Sequence, residues 1–107
     1  MRRRLAVLTM AVLSLPAEAK DLTATQALDA AVDVLLGDPY GATVDDVKSN
    51  IKRQERVGTD DPECAQPAWK FTVAVPPSEQ HENGIKGFLC LSVESGEILK
   101  AGLPFLD

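Results

Sequence analysis

Trp69-Lys70-Phe71-Thr72-Val73-Ala74-Val75 sets large apolar side chains at alternate positions, and this period of two predicts a strand with one buried face. Pro76 and Pro77 end it, because proline cannot donate to a strand ladder. After a polar connection from Ser78 to Gly84, the run Ile85 to Val93 is apolar on both faces and β-rich at its centre, which predicts a central strand. Glu94-Ser95-Gly96-Glu97 reads as a tight turn. Ile98 to Lys100 then begins a third strand, which Gly102 and Pro104 disturb and so confine to an edge. Three antiparallel strands in a meander are expected.

Upstream, the period lengthens. Thr23-Ala24-Thr25-Gln26 can form a capping box, in which Thr23 and Gln26 satisfy each other's free backbone donors at a helix start. Ala27, Leu28, Ala31, Val32, Leu35 and Leu36 make one apolar stripe, with Asp29 and Asp33 on another face. Gly37 suits the helix stop, and Asp38-Pro39-Tyr40-Gly41 a turn. Asp45 and Asp46 fit the first turn of a second helix and Lys48, Lys52 and Arg53 its far end, so a helix over Val44 to Glu55 is predicted. Its stripe of Val44, Val47 and Ile51, with Val57 beyond, is thin. Gly58 to Pro67 is polar and reads as a loop. The fold class is α+β, with two N-terminal helices packed on a three-stranded antiparallel meander.

Residues 1–19 read as an export signal: Arg2, Arg3 and Arg4, an apolar run from Leu5 to Leu15, and Ala17-Glu18-Ala19 before the expected cleavage point. Eleven residues rising about 1.5 Å each cover roughly half of a bilayer core, which disfavours a membrane anchor. Residues 20–107 are then a single mature domain, periplasmic or secreted. Removing the signal takes Lys+Arg from 11 to 8 and Asp+Glu from 16 to 15, so the net charge moves from −5 to −7. That acidity disfavours nucleic acid and anionic membrane surfaces as partners. A mature domain under ninety residues buries little core, and in an oxidising compartment Cys64 and Cys90 are expected to form a disulfide. Closing a loop of that length contributes about 3 kcal/mol on the chain-entropy account.

Three segments together resemble the PepSY-like domains of exported bacterial proteins, which also occur in the propeptides of some secreted metalloproteases. Thr23 to Ala31 resembles the opening helix, Trp69 to Val75 the first aromatic strand, and Leu89 to Leu99 the closing hairpin with its Gly-Glu turn. The chain departs from the family pattern in the segment Val44 to Glu55, in the long loop after it, and in the cysteine pair. Glu94 and Ser95 also stand where the family often has an aspartate and an aromatic residue. The resemblance implies binding or inhibition of a protease, or a sensory role in the envelope, without turnover of a substrate.

No catalytic or cofactor motif stands out, and no cofactor or metal is expected. His81, the single histidine, sits among Glu79, Gln80, Glu82 and Asn83 and reads as a solvated hairpin tip. An enzyme would need a concave pocket joining it to Asp or Glu side chains, which the sequence gives no reason to expect. Asp60, Asp61 and Glu63 offer oxygen ligands of the kind calcium takes, but lack the spacing of a calcium loop. Asp29 and Asp33 read as an exposed face. The serines fall in no nucleophile pattern. Trp69 is read as core packing against Leu28, Val32 and Leu35, with a partner anchor as the alternative. Trp69, Glu79, His81 and Glu82 are therefore the candidate partner contacts. The expected function is binding of a protein in the envelope, with inhibition of a protease or other hydrolase as its specific form and metal or small-ligand binding as the alternative.

Overall fold

In the computed structural model, which describes residues 21–106, Thr23 opens the first helix with the expected capping box. Its hydroxyl accepts the Gln26 amide at 3.1 Å, and the Gln26 side chain accepts the Thr23 amide at 2.9 Å. Helix α1, Ala24–Leu35, buries Ala27, Ala31, Val32 and Leu35. Leu36, expected in the same stripe, lies at the helix end and is 48% exposed. Helix α2 is shorter than predicted, Val44–Asn50, with Thr43 as its cap and Val47 as its buried residue. The export segment read in residues 1–19 lies outside the described residues. No helix among the described residues is long and apolar enough to cross a membrane.

The stretch predicted to continue α2 is instead a strand. Strand β1, Ile51–Val57, joins β2, Ala68–Val75, β3, Ile85–Leu91, and β4, Ile98–Ala101, in an antiparallel sheet of order β1-β2-β3-β4. The sheet therefore has four strands and not three. Lys52, Arg53, Gln54, Glu55 and Arg56 carry no alternating apolar signal, so nothing in β1 itself announces a strand; pairing with β2 along six positions defines it. The Asn50 side-chain amide donates to the Tyr40 carbonyl at 2.8 Å, fixing the chain where helix gives way to strand.

Phe71 and Val73 on β2, with Ile85, Leu89 and Leu91 on β3, pack beneath both helices in the main core, together with Tyr40 and Leu103. Trp69 is half-buried at the rim of this core, and its indole N–H donates to the Leu22 carbonyl at 3.2 Å. The Arg56 guanidinium lies 5.8 Å from the centre of its ring and pairs with Asp21. The indole thus fastens the chain that leads into α1.

The opposite, outer face of the sheet is covered at one end by the 58–67 loop. Cys64 and Cys90 form the expected disulfide, with Cα atoms 5.8 Å apart, and pack with Ala68, Val57 and Phe88 in a second small core. Beside them Lys70, a residue expected on the solvent side of its strand, is 8% exposed. Its amine meets Glu63 at 2.6 Å and Asp61 at 3.1 Å. Asp61 in turn accepts the backbone amides of Cys64 at 2.8 Å and Glu63 at 3.1 Å. A polar loop closes over the sheet because a covalent bond and a charge pair replace the apolar contacts it lacks.

Two outcomes follow from this closure. Reducing the disulfide, or the Cys64→Ala/Cys90→Ala variant, should lower unfolding free energy by about 3 kcal/mol in a urea titration, from the 26-residue separation of the cysteines. The amide of Cys64, more than the Lys70 amine, holds the Asp61 carboxyl below its ordinary value of 3.8. Lys70 is raised above 10.5, chiefly by Glu63 and then by Asp61. A depressed acid stabilises the fold above its unfolded value and loses that contribution as pH falls through the folded one; a raised base does the reverse. Stability should thus fall below pH 3.8 and above pH 10.5. Asp61→Asn should flatten the acid limb of a pH-resolved melting curve; an unchanged limb would remove Asp61 from that role.

Candidate functional site

Three connections meet beyond the far end of β2. The first is the α1–α2 link, where Gly37 and Gly41 bridge each other around Asp38, Pro39 and Tyr40, with a cis Asp38–Pro39 peptide bond. The second is the β2–β3 loop, residues 76–84, and the third is the segment Leu103 to Leu106 after β4. The Tyr40 hydroxyl donates to the Pro104 carbonyl and so ties the first to the third. Leu103, 4% exposed, anchors the last segment in the main core.

The β2–β3 loop is a folded turn. The Ser78 amide donates to the His81 carbonyl at 2.9 Å, the His81 amide returns to the Ser78 carbonyl at 3.3 Å, and the Ser78 hydroxyl also accepts the His81 amide at 3.2 Å. The Gly84 amide adds a second bond to the His81 carbonyl, at 2.9 Å. Gly84 has φ +73°, and a Cβ there would lie 2.4 Å from the Val75 carbonyl oxygen, so only glycine closes the loop without displacing the strand end.

His81 is half-buried, in contrast to the solvated tip expected of it. It lines a hollow of about 280 Å³ with Asp38, Pro39, Val75, Ser78 and Gln80. A shallower hollow of about 180 Å³ adjoins it, shared by Asp38, Pro39 and His81 and bounded by Phe105. The Phe105 ring stands edge-on to the imidazole, 6.1 Å away, and is 72% exposed. Its φ is +71°, a left-handed conformation that costs a bulky residue on the order of 1–3 kcal/mol and collects at functional positions. An exposed aromatic is thus held out beside a concavity lined by a carboxylate and an imidazole.

The concavity joining His81 to an acidic side chain was not expected from the sequence. It does not assemble a nucleophile. Among the described residues the imidazole makes no ion pair with Asp38, and the Ser78 hydroxyl is engaged by backbone. What the arrangement offers is a surface on which Asp38 can meet a cationic group while Phe105 and Pro39 cover its apolar part.

The structure places Glu79, His81 and Glu82 together on the loop. Trp69 lies at the other end of β2, about 20 Å away at strand spacing, so it does not share their surface. Of the three acids read as a calcium alternative, Asp61 and Glu63 are engaged by Lys70. Among the described residues no group of three or more His, Cys, Asp or Glu side chains is placed to hold a metal ion. Asp38, Pro39 and Phe105 were missed as site residues because turn and terminal segments carry no periodic signal. Phe105, an aromatic outside any strand pattern, was the one available clue.

Comparison of the chain with protein-family models, with curated proteins and with solved structures finds no match.

Gly84→Ala should cost roughly 1–3 kcal/mol in denaturant titration, with faster amide exchange centred on Ser78 and His81. Unchanged protection there would show that the loop does not depend on this glycine.

Proposed function

We propose that this is a small exported protein that acts by binding another protein in the envelope or outside the cell, without turnover of a substrate. Inhibition of a protease or another hydrolase is the form to test first. The observation that carries this reading is Phe105: an aromatic 72% exposed, in a strained backbone conformation, beside the ordered His81 loop and its hollow. Exposed aromatics of this kind anchor protein interfaces, where a buried ring accounts for much of the affinity. Support for export comes from the reading of residues 1–19 and from the disulfide, which suits an oxidising compartment. The PepSY-like resemblance is in keeping with inhibition, and the four-stranded sheet is compatible with it only at the level of an α+β domain.

Affinity capture from envelope extract should recover the same protein repeatedly with the wild-type chain and lose it with Phe105→Ala, a change at an exposed position that leaves the melting temperature within a few degrees. Repeated recovery of nothing by the wild-type chain would sink the proposal. The hollow beside His81 favours one second reading, a site for a small cationic ligand. Stabilisation by arginine or agmatine that vanishes in Asp38→Asn would favour it.

A further inference from the structure

The outer face of the sheet has a charge opposite to that of the whole chain. Ala74 pairs with Lys86 across β2 and β3, and Thr72 pairs with both Phe88 and Arg53. The register of β1 shifts between Ile51 and Arg53, leaving Lys52 as an extra residue that β2 does not pair. Such a bulge re-aims side chains. Here it brings Lys52 to the same side as Ala74 and Lys86, where the three line a hollow of about 310 Å³ with Val75, Pro76, Pro77 and Asn83. In a regular strand two consecutive cations would point to opposite faces.

Lys52 and Lys86 are exposed and, among the described residues, form no ion pair. The Lys52 amine donates once, to the Ser49 carbonyl at 2.7 Å, which fixes its position and leaves two donors. Arg53, next to it, pairs with Glu55 at 3.4 Å. By contrast, Asp29, Asp33, Asp45 and Asp46 all lie on the helices.

Pro76, Pro77 and Asn83 belong to the same loop whose other residues line the His81 hollow. The loop therefore divides two concavities of opposite charge, one with Asp38 and one with Lys52 and Lys86. We infer that the Lys52–Lys86 hollow is a docking site for an acidic, extended segment of a protein partner, with a carboxylate seated between the two amines. The volume suits one or two side chains. A nucleic acid or sulfated polymer is disfavoured, because such polyanions need a continuous basic track and the chain as a whole carries a net charge of −5. This inference rests on the reading of the 76–84 loop as the contact segment.

The full chain, titrated with hexaglutamate at low salt by calorimetry and amide chemical shifts, should bind with shifts centred on Ala74, Val75 and Lys86. Affinity should fall at least tenfold in Lys52→Gln/Lys86→Gln, fall with added salt in the wild type, and be unaffected by Phe105→Ala. Absence of hexaglutamate binding, equal binding by the double variant, or tighter binding of a heparin fragment at the same residues would overturn the inference. If Phe105→Ala still abolishes partner capture while hexaglutamate fails to bind, the acidic-segment assignment falls and the protein-binding reading stands. If wild-type capture recovers nothing as well, both fall.

Discussion

A four-stranded sheet with two short helices can cover only one of its faces with apolar side chains, and the other face has to be closed by some different means. Here the means is the covalent bond between Cys64 and Cys90, which holds a polar loop down on β2 and β3. Lys70 can remain in the middle of that face only because the loop brings Asp61 and Glu63 to its amine, and they can be brought there only because the loop is tethered. Replacing such a buried pair by apolar residues need not weaken a fold, whereas removing one partner leaves a charge uncompensated. The disulfide and the charge cluster therefore act as one closure. The main core, from Ala27 to Leu103, contains none of these residues.

The closure ends partway along the sheet, and that division organises the surface. Where the loop covers β2 and β3, the outer face is occupied and structural. Beyond it, the face is open, and there the basic side chains gather. The connections at the same end converge because Tyr40 and Leu103 draw the α1–α2 link and the last segment toward the core. Asp38, His81 and Phe105 thus sit on connections set by a rigid frame.

Much of this frame could be read from the residues. The alternation from Trp69 to Val75, the capping box at Thr23 and the cysteine pair each follow a local rule that the structure obeys. β1 could not be read in this way. Its residues from Lys52 to Arg56 are all polar, the spacing of Val44, Val47 and Ile51 continues a helical pattern, and an edge strand draws its definition from a neighbour whose presence a local window does not include. Lys70 was legible as an outward-facing strand residue but not as a buried one, since the loop that covers it arrives through the disulfide. The loop from Ser78 to Gly84 was legible as a polar connection between two strands. Asp38, Phe105, Lys52 and Lys86 come to it from separate parts of the chain, and only the tertiary fold brings them together.

The single unpaired residue in β1 also bears on how this protein can change. A strand's side chains alternate, and the bulge at Lys52 absorbs one extra residue so that Ile51 and Arg53 keep their faces. Deleting one position near Lys52 would remove the offset between the two halves of β1 without altering the sheet's order or the disulfide. A one-residue change in β1 therefore alters the charge that the outer face presents while the scaffold stays in place.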